Sequence, residues 1–177
     1  GRVLTPAPKE GYAPSLSRLA RQQYDLVMAF DITSGMDILS TFAAAAIDSV
    51  ASAFPKTKFA IIDAAHDALA HRPRNVLGLV FSEQQAGYLA GYLAALALTL
   101  SPGKDVISSV GGQRVPPVLR YIAGYQAGAR AANPRVTPLN SFTDDFQDPA
   151  KGRSVALSQI AKGSRVVFQV AGACGLG

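Results

Sequence analysis

Between Asn75 and Leu100 the sequence NVLGLVFSEQQAGYLAGYLAALALTL changes its period once, abruptly, and this restricts what the chain can become. Asn75 to Phe81 is a short Val/Leu-rich run behind the polar stretch HRPRN and reads as a buried strand. Ser82 then opens a helix. Its side chain is expected to cap the first turn, with Glu83 adding negative charge there and Gln85 at the capping-box position. From Ala86 the helix is apolar nearly all round, and Gly87, Ala90, Gly91 and Ala94 leave room for another backbone or a sheet to approach closely. The apolar core, Ala86 to Leu100, falls short of the ~20 residues that a membrane span requires.

The same alternation of strand and helix runs along the rest of the chain. Gly1 to Ala13 reads as a linker, Pro14 to Gln23 as a helix, Tyr24 to Phe30 as a strand, and DITSGMD as a turn. A helix from about Ile38 is stopped by Pro55 and followed by the strand Lys58 to Asp63. Beyond the breaker SPG at Ser101 to Gly103 come the strand DVISSV, the loop GGQRVPP, a helix from Val118 to Ala132 and a strand from Arg135 to Phe142. The turn TDDFQDPAKG, a helix from Ala150 to Ala161, the strand SRVVFQVAG and the tail ACGLG complete the chain. Strands alternating with helices of this length imply parallel sheets with helices on both faces. The break at Ser101 divides them into two α/β lobes, 1–101 and 102–177, crossing at Leu100 to Lys104.

Charge supports the division. The first 101 residues hold eight Lys/Arg against eight Asp/Glu, and the remainder hold nine against four, so the net charge of +5 lies in the second part. These cations are scattered and not interleaved with aromatics, which reads as solvated helix faces and argues against nucleic acid. With 49% hydrophobic and 16% charged residues the chain is globular. Its single cysteine, Cys174, excludes an internal disulfide, and GRVLTPAPKEGY has no apolar signal-peptide core. The chain is therefore expected to be cytosolic, already processed, or cut from something longer.

In open parallel sheets ligands sit outside the carboxyl ends of the strands, here Phe30-Asp31, Asp63, Phe81-Ser82, Val110-Gly111, 141–148 and Gly172 to Gly175. His66 and His71, with Asp63 and Asp67, have metal-binding side chains. Five residues apart they do not share a helix face, and nothing completes the set, so no metal is expected. Asp144, Asp145 and Asp148 form an acidic loop that suits either a carboxylate pair or a cation, but Asp148 before Pro149 reads more simply as a helix cap. The glycines from Gly172 to Gly177 suit a phosphate cradle or a plain tight turn, as does Gly111-Gly112. Phe142 and Phe146 flank a polar loop, where they either stack on a flat ligand or pack over a lobe edge.

YDLV, FP-x-x-KFAIID, NV-x-x-x-F-x-x-x-x-AGYLAGYLAAL, S-V-GG, R-x-x-AGYQAGARAANP, FQDPAKG and VVFQVAGACGLG occur in this order. Together they resemble the basic membrane protein family of ABC-transporter substrate-binding lipoproteins, over about Tyr24 to Gly177. The resemblance implies a two-lobed periplasmic-binding-protein-like fold, without cofactor, that closes on a purine nucleoside in an interlobe cleft. It implies that Asp63 accepts hydrogen bonds from sugar or base, that Phe146 stacks on the purine, and that Gly172 opens a loop lining the site. It implies an ABC transporter permease as partner and an extracytoplasmic, lipid-anchored location for the full-length protein. Family members carry Gly-Phe after YDLV where this chain has Phe30-Asp31 and extra residues, and Gly-Thr where it has Ala173-Cys174. The chain is also expected to be truncated at both ends, beginning after the family's first strand and stopping before its last ones, which leaves sheet edges through which a homodimer would pair. Two rival readings remain: a ligand-sensing regulatory domain of the same fold, and an α/β enzyme on nucleosides or sugars using Asp63 and Asp148.

Overall fold

The computed structural model describes residues 11–30 and 40–177, so the turn expected at Asp31 to Asp37 and most of the expected linker lie outside the described residues. The chain forms two compact units, Gly1–Phe81 and Ser82–Gly177.

The first unit contains α1 (Tyr12–Arg21), β1 (Leu26–Phe30), α2 (Ser40–Ala53), β2 (Lys58–Ile62) and β3 (Val76–Leu79). The strands are parallel in the order β1-β2-β3, in register through Val27, Phe59 and Val76. Side chains on alternate positions share a face, and Val27, Ala29, Phe59, Ile61 and Val76 form one core with Leu16 and Ala20 of α1 and Ile47, Val50 and Ala51 of α2. Both helices therefore cover the same face. The other face carries Leu26, Met28 and Leu77, which are 51%, 48% and 60% exposed, so in this unit the expected cover on both faces is not met among the described residues.

The second unit contains α3 (Glu83–Ala97) with a 3-10 turn at Leu98–Leu100, β4 (Val106–Gly111), α4 (Pro116–Ala132), β5 (Thr137–Phe142), α5 (Pro149–Ala161), β6 (Val167–Val170) and a 3-10 segment, Gly172–Leu176. Its strands are parallel in the order β5-β4-β6. Pro138 has no N–H to give a central strand, which suits the edge position of β5. One face packs Ile107 against Tyr125 and Ala129 of α4 and Ala94 and Ala95 of α3, with Phe168 stacked on Tyr125 at 4.7 Å. The other packs Val110, Ala171 and Cys174 against Val155 and Ala156 of α5. No helix among the described residues is long and apolar enough to cross a membrane.

The units divide at Phe81/Ser82 and not near Ser101 because of α3. Gly87 and Gly91 of α3 lie directly on the backbone of Tyr121 and Tyr125, and Gly124 and Gly128 of α4 lie on that of Gln84 and Tyr88. Four missing side chains let the two helix backbones touch, so α3 belongs with α4 despite the SPG breaker between them.

The start of α3 also differs from expectation. Ser82 occupies the N-cap without a side-chain cap bond, and the first turn is held instead by buried Glu83, which accepts from Nε and Nη2 of Arg120 at 2.7 and 3.1 Å. The Arg120 hydrogen bonds hold the Glu83 carboxyl below the usual carboxylate range, against the opposing effect of burial. A depressed carboxylate contributes stability above its unfolded value, near pH ~4.3, and loses it as pH falls through the lower folded value. Glu83→Gln is therefore expected to cost about 1–2 kcal/mol at pH 7, discounted for the half-exposed arginine, and much less at pH 3. Urea unfolding at the two pH values checks this; an equal loss at both contradicts it.

Candidate functional site

At the carboxyl end of the second sheet three chain segments are tied together. Gly112 N–H donates to Val170 O at 3.0 Å, Thr143 N–H to Gly111 O at 2.9 Å, and Asp144 N–H to Gly112 O at 3.2 Å. The loop after β5 thereby crosses the tip of β4, turning at Asp144 with φ of +53°. Gly111 and Gly112 each seat an aromatic ring. A Cβ on Gly111 would fall 2.6–2.7 Å from Phe142, and one on Gly112 would collide with Phe146. Neither glycine serves as a bare turn. Phe146 is half-buried, and its ring and carbonyl also border Gly172, whose φ of +56° is a conformation open to glycine at little cost.

The loop that carries Phe146 is fixed through its polar atoms. Thr143 Oγ1 donates to Asp145 O at 2.6 Å, while the Asp145 carboxylate accepts from Gln147 N–H and from Lys151 Nζ, both at 2.8 Å. The Lys151 hydrogen bond pulls the Asp145 carboxyl below its ordinary range and pushes the Lys151 amine up. Asp148 Oδ1 accepts from Ala150 N–H at 2.9 Å and caps α5, the simpler of its two readings. Cys174 Sγ donates to Asp145 O at 3.3 Å, and Cys174 N–H reaches Phe146 O at 3.4 Å. Asp145 and Asp148 are thus both spent on local structure.

The tail follows the tight-turn reading. Gly172–Leu176 forms a 3-10 turn against α5, where Gly152 lies on the Cys174 carbonyl and Gly177 on that of Pro149. The two histidines have separate partners: His66 Nε2 lies 3.2 Å from Pro73 O, and His71 bonds Asp48 through Nδ1 at 2.6 Å and its backbone N–H. Among the described residues no group of three His, Cys, Asp or Glu is placed to hold a metal.

Of the residues singled out from the sequence, Phe146 and Gly172 come together at this edge. Asp63 stands in the first unit at the end of β2, half-buried, with φ of +66° and its N–H donating to Leu79 O at 2.9 Å. Arg114 escaped the sequence reading among the scattered cations; its guanidinium lies 4.0 Å from the Phe142 ring centroid. Only the β4–β5 register could have found it.

A parallel α/β unit with a half-exposed aromatic seated on glycines at the carboxyl ends of its strands has the layout of a small-molecule-binding protein. Residues 4–177 match the family model of PnrA-like ABC transporter substrate-binding proteins, and the chain belongs to this family, the Bmp or basic membrane proteins. It is 33% identical to basic membrane protein B of Borrelia garinii over 73% of this chain and 37% of that protein. It is 29% identical to an uncharacterized lipoprotein of Pyrococcus horikoshii over 96% of this chain and 40% of that one. The solved structure of an ABC transporter solute-binding protein from Aeropyrum pernix superposes with a TM-score of 0.74 at 28% identity, covering 93% of this chain and 44% of the other. The chain spans less than half the length of the curated relatives that it matches.

Proposed function

We propose that this chain is the part of an ABC-transporter substrate-binding protein that recognises a purine nucleoside, performs no chemistry, and signals occupancy to a membrane permease. The observation that carries this reading is the Phe146 ring, half-buried and held between Gly112 and Gly172 by a loop tied down through Thr143, Asp145 and Asp148. A ring so fixed offers a π-face at little entropic cost, which favours a flat, neutral base over a bare sugar. Asp63 supplies a carboxylate acceptor for ribose hydroxyls or base N–H groups. The lipoprotein name of a relative supports an extracytoplasmic, lipid-anchored location for the whole protein. Among the described residues each sheet has three strands, and their edges would support pairing with a second copy, a point that sedimentation at high concentration decides.

The test is a thermal-shift panel of nucleosides, free bases and sugars. A ligand at about a hundred times its Kd stabilises by about 2.7 kcal/mol, which moves the melt by several degrees. The reading expects this for purine nucleosides and a reduced shift in Asp63→Asn; an unmoved melt across the panel contradicts it.

A further inference from the structure

The two edges of the second sheet differ. Thr137 N–H donates to Asp105 O and Thr143 N–H to Gly111 O, so alternate residues of β5 bond to β4 while Pro138, Asn140 and Phe142 turn their backbone groups outward. Pro138 has no N–H to offer there, which blunts that edge. On the other side Val166 O accepts from Ser108 N–H and Val170 O from Gly112 N–H, so Val167 and Gln169 turn theirs outward. Among the described residues no strand lies beyond β6, and Val167–Val170 contains neither proline nor charge. Phe168 packs on the same face as α3, against a cluster that includes Ala94, Ala95 and Leu98. The end of α3 is tied to the start of β6, where Arg165 Nη2 donates to Ser101 O and Oγ, both at 2.6 Å.

The side of α3 turned away from α4 is apolar as well. Gly87 and Gly91 meet α4, and opposite them Tyr88, Leu89, Tyr92, Leu93, Leu96 and Leu100 form one exposed stripe, in a stretch, residues 84–101, that holds no charge. Tyr88 stacks on Tyr92 at 6.4 Å, and Leu89, Leu93 and Leu100 are 72%, 67% and 85% exposed. The stripe presents on the order of 700 Å² of mostly apolar surface, more than the largest patch of an ordinary monomer.

We infer that the β6 edge and the α3 stripe together form an isologous interface with a second copy of this chain. The inference rests on the edge pairing noted above, selects one edge for it, and is independent of the nucleoside reading. A two-fold axis normal to the sheet sets β6 antiparallel to its copy, with Val167 of one chain opposite Gln169 of the other and their outward backbone groups exchanging hydrogen bonds. The same axis brings both α3 helices to one side of the joined sheet, stripe against stripe. Because the stripes are uncharged, no like charges meet there, although the second part of the chain is basic. Burying most of both stripes removes about 1,200 Å², the lower bound for a stable interface, which suits a dimer with a Kd on the order of ten micromolar.

The test is sedimentation velocity of the full chain across about 1–500 µM, a range in which the parent is expected to pass from monomer to dimer. Leu93 stands near the middle of the stripe, and Leu93→Lys or Leu93→Glu, which sets like charges face to face, should raise the Kd about tenfold or more. An equimolar mixture of the two variants should associate again, because opposite charges then meet across the axis. Leu157→Lys, at an exposed leucine of α5 on the other face of the sheet, should leave association unchanged. Circular dichroism of the variants, expected to match the parent, excludes a folding defect. Dimerisation that Leu93→Lys does not weaken, or a mixture that stays monomeric, overturns this interface and leaves the pairing to another edge. A strict monomer throughout the range leaves the stripe to a different partner and overturns the interface and the pairing alike.

Discussion

Gly91→Ala is expected to destabilise the second unit by about 2 kcal/mol, although alanine is intrinsically the better helix former by up to ~1 kcal/mol. The reason is local. An added Cβ would land on the carbonyl oxygen of Tyr125, which is backbone and cannot rotate away, so α3 and α4 must separate along a contact that buries Ala94, Ala95, Tyr125 and Ala129. Gly128→Ala, which meets the Tyr88 carbonyl, should behave alike. Leu89→Ala on the exposed side of α3 should change stability by less than about 0.5 kcal/mol, because a side chain 72% exposed has little burial to lose. Urea unfolding of the three variants separates these expectations. A Gly91→Ala protein as stable as its parent would show that the helices do not touch through their backbones.

Phe146→Ala is expected to weaken nucleoside binding by about 10- to 100-fold, the range found when an aromatic stacked on a base is removed. The loop should keep its course, because its anchors are the Asp145 bonds to Gln147 and Lys151, the Asp148 cap and the Thr143 hydroxyl, none of which involves the ring. Phe146→Tyr, which retains a flat ring, should bind nearly as the parent does. Gly112→Ala offers an independent approach: its Cβ takes the place of the Phe146 ring edge, so affinity should fall while the phenylalanine is still present. Calorimetry on the three variants checks this, and full affinity in Phe146→Ala would assign the ring to packing over the sheet edge.

The alternation of strand and helix was legible because it is written in local periods: VVFQV and KFAII as short, largely apolar runs, Pro55 and Pro134 as stops. Register and order were not. The expected division at Ser101 rests on SPG, a strong local breaker, whereas the compact units divide at Phe81/Ser82 through contacts such as that between Gly91 and Tyr125, more than thirty residues apart. Ser82 had the sequence of a cap, yet Arg120 makes Glu83 the residue that holds the first turn. At the site, Asp148 could be read as a cap from its neighbours alone. The aromatics could not be settled in the same way. That Gly111 seats Phe142 and Gly112 seats Phe146 depends on the pairing of β4 with β5 and on the loop bonded across the tip of β4, and neither leaves a mark in the local sequence. Phe146 and Gly172 were reached through the ordered likeness to a family, and their adjacency is a product of the fold.

The measurement that bears most directly on nucleoside recognition through Phe146 is native mass spectrometry of the purified chain with guanosine, inosine, adenosine and ribose, run in parallel on Phe146→Ala. The account predicts a one-to-one nucleoside adduct on the parent, no ribose adduct, and a nucleoside adduct lost or strongly reduced in the variant. A bare chain mass with every nucleoside, or equal adducts on parent and variant, would contradict it.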